Sequence, residues 1–194
     1  MNYLAHLYLP HPSSDLVIGG FLGDFVKGRV DGRWEPGIRQ GVRLHRAIDQ
    51  YSDQHPVVAA MREQFPAPYR RYTGIIVDIV FDHFLAAEWH EFKVQPSLHD
   101  FASEQYELLI NAPIHDEPIR AARQMQARGA LQGYANPLFV TRALTHIGTR
   151  LKRTNPLGDC EALLHTHHAA LYSGFRAFFP DLEEFVADWI NAER

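Results

Sequence analysis

His45, Asp49 and Asp53 recur at four-residue intervals, and a second such pair, Asp78 and Asp82, sits inside the apolar run from Tyr72 to Leu85. At roughly 100° per residue, a four-residue step returns to within about 40° of its starting direction, so each set forms a stripe along one helix face. Around Asp78 and Asp82 stand Ile75, Ile76, Val77, Ile79, Val80, Phe81, Phe84 and Leu85. An unpaired ionised carboxylate is costly in such surroundings, so something positive must face the pair. The spacing predicts a hydrated divalent cation held between the two helices, with hydrolysis by activated water as its chemistry. A plainer arrangement also fits: the two aspartates cap neighbouring helices, or pair with buried arginines such as Arg70 or Arg142.

With His45 at zero on a helical wheel, Asp49 falls at roughly 40° and Asp53 at roughly 80°, while Arg46, Arg39 and Arg43 fall near 100°, 120° and 160°. An arginine row beside an acidic row suits a metal-held phosphate, because the cation takes one oxygen and a guanidinium neutralises others. Ordinary surface ion pairs at three- and four-residue spacing would look the same. His6, among Leu4, Leu7 and Leu9, and Asp24, among Phe21, Leu22 and Phe25, come from the first two helices and are candidates to complete the site. His83 lies about 100° around the helix from Asp82, which suits a proton donor or a core histidine bonded to a backbone carbonyl. Imidazole and carboxylate without thiolate suit Mn, Mg, Fe or Zn, with Mn or Mg favoured as carboxylates increase. The histidines at 165, 167 and 168 point in different directions and read as solvated surface. The sequence contains no nucleophile elbow, no phosphate-cradling Gly-x-x-x-x-Gly-Lys loop and no dinucleotide fingerprint.

Helix-period apolar spacing dominates the 194 residues, and 46% hydrophobic content supplies a sizeable core, so the chain reads as an all-α, single-domain helical bundle over 1–194. Ser13-Ser14-Asp15 caps a helix from Leu16 to Val26, and Pro36 and Pro56 open the next two. The apolar helix is expected from about Tyr69 to Phe92, and Pro96-Ser97 opens another to about Asn111. Further helices follow at roughly 117–133, 137–152, 157–178 and 181–192, the last two separated by Pro180. A net charge of -4 gives no sign of a nucleic-acid partner. Segments long and uncharged enough to span a membrane are missing, as is a basic leader at the start, and Cys160 is the only cysteine. A reducing, cytoplasmic location is the simplest expectation.

The segments Met1-Asn2-Tyr3-Leu4-Ala5-His6, Gly23-Asp24-Phe25-Val26-Lys27-Gly28, His45-Arg46-Ala47-Ile48-Asp49, Asp53-Gln54-His55-Pro56 and Asp82-His83-Phe84-Leu85-Ala86 carry a family resemblance. Asn155-Pro156-Leu157 and Phe178-Phe179-Pro180-Asp181-Leu182 extend it over nearly the whole chain. With these residues the sequence resembles the acyl carrier protein phosphodiesterases, also called acyl carrier protein hydrolyases, a divergent branch related to the HD-type metal phosphohydrolases. It departs at Gly20, where asparagine is expected, and at Ser52, where threonine is commoner. It also lacks the adjacent His-Asp pair of the broader superfamily, having only the reversed Asp82-His83.

The resemblance implies hydrolysis of the phosphodiester joining 4'-phosphopantetheine to a serine of holo-acyl carrier protein, with manganese as cofactor. The expected ligands are His6, Asp24, His45, Asp49, Asp78 and Asp82. Arg46 is expected to spread charge at phosphorus, and His83 or His6 to protonate the leaving serine oxygen. Carrier proteins are small and acidic, so docking should use Lys27, Arg39 and Arg43, part of a basic set (Lys27, Arg29, Arg33, Arg39, Arg43, Arg46, Arg62, Arg70, Arg71) confined to the first 71 residues. Two other functions fit the same residues: an HD-type phosphohydrolase acting on a nucleotide or other small phosphoester, and a non-enzymatic binding module with arginine-paired carboxylates.

Overall fold

Prolines and helix caps place most of the breaks. Pro36, Pro56 and Pro137 each stand in the first turn of a helix, where the missing N–H costs nothing. The Ser97 hydroxyl accepts the Asp100 N–H, and the Asn136 side chain accepts the Leu138 N–H. The computed structural model describes residues 1–30, 32–92 and 95–193. Over these the chain folds into helices α1 (Tyr3–Tyr8), α2 (Ser14–Leu22), α3 (Pro36–Gln54), α4 (Pro56–Gln64), α5 (Ala67–Arg70), α6 (Thr73–Ala87) and α7 (Trp89–Phe92). After these come α8 (Leu98–Ile110), α9 (Asp116–Ala127), α10 (Ala130–Gly133), α11 (Pro137–Arg150), a 3-10 turn (Leu157–Asp159) and the long α12 (Glu161–Ala192). The described residues contain no strand, so the fold is all-α as expected.

One apolar cluster joins these helices, with Phe81, Phe101, Phe175, Phe178 and Phe179 among its fully buried members. The α2–α3 crossing positions the site. A Cβ on Gly19 would lie 2.1 Å from the Ile38 carbonyl oxygen, and one on Gly41 would lie 2.5 Å from that of Leu16. The two backbones therefore touch, which only glycine permits. α1 lies against both α2 and α6, and α11 lies along α6.

Several expected boundaries differ. α2 stops at Leu22, short of Val26, and the helix expected from 157 begins as a 3-10 turn, with α12 opening at Glu161. The apolar helix is divided at Tyr72 and again at Glu88, giving α5, α6 and α7. The helix expected over 117–133 stops at Ala127, because Gly129 takes a left-handed φ of 57° before α10. At Pro180 no break occurs: α12 runs through it. Arg176, whose carbonyl loses its N–H partner there, is exposed, while Phe175, Phe178, Phe179, Leu182 and Val186 hold both halves of the helix on the core.

Candidate metal centre

His45 is carried by α3 and buried against α2. A Cβ on Gly23 would sit 2.1 Å from the His45 ring, so this glycine leaves the room the imidazole occupies. The ring is held from behind, with its Nδ1 2.8 Å from the Gly20 carbonyl oxygen. A carbonyl only accepts, so Nδ1 carries the proton and donates it. That leaves Nε2 facing forward, 3.2 Å from Asp49 Oδ2 one helical turn along α3.

From α1, His6 Nε2 reaches 3.1 Å from Asp49 Oδ1, and its ring stacks on that of His45 with centroids 3.9 Å apart. Ligand atoms of His6, His45 and Asp49 all lie within 4.8 Å of one another, and theirs is the one such grouping among the described residues. Burial, the His45 ring and the amino terminus draw the His6 imidazole down to about 3, so it is neutral and keeps a lone pair for binding. Burial works against charge on Asp49, but the hydrogen bonds of His45 and His6 outweigh it and hold the carboxyl below the usual carboxylate range. His6 Nδ1 is buried without a hydrogen-bond partner.

These donors fit a divalent cation. With Nδ1 donating to Gly20, His45 has only Nε2 left to turn on the Asp49 carboxylate, and a neutral His6 adds a second imidazole nitrogen at similar range. Nitrogen and carboxylate oxygen approach so closely only across a proton or a cation. Separations of 3.1 and 3.2 Å are those of neighbouring ligands around a metal at about 2.0–2.2 Å. A backbone carbonyl behind a ligating imidazole is the usual device for fixing its tautomer and direction.

Asp24 follows the end of α2 in a turn, with Oδ1 3.9 Å from His45 Nε2. Burial raises its pKa, with Asp49 pushing the same way and His45 opposing. The Tyr3 phenol donates to it, and that hydroxyl is itself raised by burial and by Asp24. Asp78 on α6 takes up the Met1 ammonium at 2.8 Å, and Asp49 Oδ1 is 3.9 Å from the same nitrogen. Burial penalises this ammonium, yet Asp78, Asp49 and Asp82 together raise its pKa above the ordinary value.

His45, Asp24, Asp49, Asp53, Asp78, Met1, Asn2, Ser52 and three isoleucines, Ile75, Ile79 and Ile147, line one cavity of about 310 Å³. The structure thus brings together His6, His45 and Asp49, with Asp24 and Asp78 at the same opening. Asp82 is placed elsewhere. It is fully buried and accepts the N–H groups of Asn2 (3.3 Å), Leu4 (2.7 Å) and Ala5 (3.3 Å). The positive partner that its apolar setting demanded is the N-terminal end of α1, whose first-turn amides lack intrahelical partners. Burial still lifts its carboxyl to about 7 despite those bonds.

His83 also turns from the cluster. Its Nδ1 is 2.7 Å from the Tyr134 carbonyl oxygen, and its ring lines a separate apolar cavity with Val80, Phe84, Leu138 and His168. Arg46 donates to the Val26 carbonyl at 2.9 Å, clamping the segment after α2, and is not among the residues lining the cavity beside His45. Arg43 lies 3.7 Å from Glu193 and Arg39 lies near Gly32. Lys27 lines a cavity of about 680 Å³ with Phe25, Val26, Arg33, Trp34, Ile114 and His115. The turn carrying Asp24 toward the cavity beside His45 therefore carries Phe25 to Lys27 into this second crease. Sequence reasoning missed the Gly20 carbonyl, Tyr3, the Met1 ammonium and the isoleucine wall. Of these Met1 and Tyr3 carried a signal, both lying inside the N-terminal segment that bears the family resemblance.

Among the described residues no helix is long and apolar enough to cross a membrane. Comparison with known proteins matches residues 1–182 to the family model for acyl carrier protein phosphodiesterase. Proteins of that name are similar over most of their length. The one from Serratia proteamaculans (strain 568) is 30% identical over 190 residues, covering 97% of this chain and 98% of the relative. That from Escherichia coli O157:H7 is 31% identical over 183 residues, covering 93% and 94%. The Yersinia pestis protein is 30% identical over 184 residues, covering 94% and 95%. No solved structure matches the chain. With a family model matched from Met1 to Leu182 and full-length relatives of one name, the chain belongs to the acyl carrier protein phosphodiesterase family.

Proposed function

We propose that this protein hydrolyses the phosphodiester between 4'-phosphopantetheine and the serine of holo-acyl carrier protein, using a divalent cation held by His6, His45 and Asp49. Asp24 and Asp78 stand at the same opening. One observation carries the reading: His45 gives its Nδ1 proton to Gly20 and turns Nε2 onto a carboxylate 3.2 Å away. A cation resolves that opposition. Manganese is the ion the family suggests, and a set of two imidazoles with several carboxylates nearby suits it.

When bound, such a cation neutralises charge at a phosphoryl oxygen and acidifies a water molecule. The chain's own groups do the rest. His6 and His45 fix the direction of the site, Asp49 bridges them, and the buried faces of α1, α2 and α3 keep the ligand atoms in place before substrate arrives. Water oxygen adds to phosphorus, the P–O bond to serine breaks, and the serine oxygen takes up a proton, leaving apo-carrier and 4'-phosphopantetheine. Since His83 lies outside the cavity, that proton is passed within it.

The carrier is acidic, and residues 27–46 hold six lysines and arginines against two acidic residues in a chain of net charge -4. Lys27 and Arg33 line the crease beside Asp24, and Arg39 and Arg43 follow on α3, so we place carrier docking on this side. A cytoplasmic setting agrees with the single cysteine, which is buried and free.

The test is to incubate the purified protein with holo-carrier, with and without chelator, and to weigh the carrier by mass spectrometry. Loss of phosphopantetheine that stops on chelation and returns with Mn2+ is the expected result. An unchanged carrier mass at saturating metal overturns the reading.

A further inference from the structure

Part of the lining of the cavity beside His45 and Asp49 is unlike the rest. Ile75 and Ile79 from α6 and Ile147 from α11 line the space that Asp24, Asp49, Asp53 and Asp78 also line. Ile79 is 1% exposed, whereas Ile75 and Ile147 remain partly open. Branched aliphatic carbon left open among four carboxylates is unfavourable unless something apolar covers it. Among the described residues the only aromatic ring lining this cavity is the His45 imidazole, which is already stacked on His6.

Resting on the phosphodiesterase reading above, we infer that this isoleucine wall recognises the pantoyl head of the phosphopantetheine arm. In that arm the ester oxygen on phosphorus is followed by a methylene and then by a carbon bearing two methyl groups. The bulkiest apolar part of the substrate therefore lies next to the scissile phosphate. With the phosphate drawn to a cation beside His45 and Asp49 in a cavity of about 310 Å³, those methyls come to lie within a lining whose branched apolar side chains are Ile75, Ile79 and Ile147. Branched methyls meeting branched isoleucine side chains fill such a surface well, and each buried methyl contributes to discrimination. The wall would thus read the arm, while the basic crease reads the carrier.

The experiment compares two carriers, one bearing the natural arm and one loaded with an arm lacking the two methyl groups. For each enzyme the quantity read is the ratio of kcat/KM for the two, which does not depend on how much of the enzyme is folded. The unsubstituted protein should prefer the natural arm about tenfold or more. Ile147→Ala and Ile75→Ala, at the two partly open positions, should each bring the ratio down several-fold. A ratio near one in the unsubstituted protein overturns the inference but leaves the phosphodiesterase reading standing. So does a ratio that neither substitution changes. Release of neither arm overturns the phosphodiesterase reading, and this inference with it.

Discussion

The rings of His6 and His45 lie face to face, their centroids 3.9 Å apart and their planes 21° from parallel, and both turn Nε2 toward the same Asp49 carboxylate. Two imidazoles stacked so closely cannot both be charged without strong repulsion, and His6 is held neutral by burial and by its neighbour. The pair is therefore ready for a cation before one arrives. Asp49→Asn removes the bridging negative charge while keeping the shape. The bound metal should fall to well under one equivalent by elemental analysis, and carrier hydrolysis should fall by about 100-fold or more. In the unsubstituted protein, metal at about 100 times its dissociation constant should stabilise the fold by about 2.7 kcal/mol. The variant's melting temperature should not respond. An undiminished metal content in Asp49→Asn would remove this residue from the centre.

Gly23 is argued from space alone. Its Cβ, if present, would lie 2.1 Å from His45 Cγ, so Gly23→Ala must swing the ring and break its bond to Gly20. Loss of ligand direction costs about 10–100-fold in metal affinity or activity in comparable sites. Gly28→Ala is the matched control. With φ at 75° and no atom within 4 Å of the added carbon, it strains the backbone by about 1–2 kcal/mol but leaves the cavity alone. Metal titration of the two variants should separate them clearly, and equal affinities would show that the glycine at 23 does not shape the site.

Asp82 makes stability depend on pH. Its folded carboxyl sits at about 7, raised by burial from 3.8, so the native state holds a proton that the unfolded state has released. This contribution is complete below pH 4 and is lost as pH rises through about 7. At its steepest the slope approaches about 1.4 kcal/mol per pH unit, the value for one proton. Urea melts between pH 5 and pH 8 should show stability falling with pH in the unsubstituted protein. Asp82→Asn keeps an oxygen for the Asn2, Leu4 and Ala5 amides and should flatten that slope. Asp82→Ala leaves those donors unpaired and should cost about 1–3 kcal/mol. A slope unchanged in the asparagine variant would assign the dependence to other groups.

The helix-forming periodicity and the stripe from His45 to Asp49 were legible because both are local: a four-residue step fixes a face whatever the rest of the chain does. His6 and Asp24 were legible as polar residues in apolar settings, and the fold then delivers them to one place. What Asp78 and Asp82 face was not. The two share a stripe on α6, yet one meets the Met1 ammonium and the other the backbone amides of α1, partners 77 to 80 residues away in the chain. Backbone donors have no signature in a side-chain pattern, and the same holds for the Gly20 carbonyl behind His45. Pro180 misled for a related reason: the residue forbids one hydrogen bond, but burial of Phe175, Phe178, Phe179 and Leu182 on either side decides whether the helix continues.

The carrier docking proposed above uses the crease lined by the residues that follow Asp24 in the chain. Lys27 and Arg33 line it, and Arg33 lies over the Trp34 ring with its guanidinium carbon 5.2 Å from the centroid. The scissile bond joins phosphorus directly to a serine of the carrier, so the carrier's surface must come up to the cavity that Asp24 lines, one end of the Asp24–Lys27 turn. Attraction between this crease and an acidic partner is long-ranged and screened over about 8 Å at physiological ionic strength. Lys27→Glu should therefore raise KM for holo-carrier about tenfold and weaken its dependence on salt, with kcat nearly unchanged. Hydrolysis of a small uncharged-leaving-group phosphodiester should be the same in both proteins, because it needs the cation site and not the crease. A KM that ignores both the charge reversal and the salt would move docking to another face of the bundle.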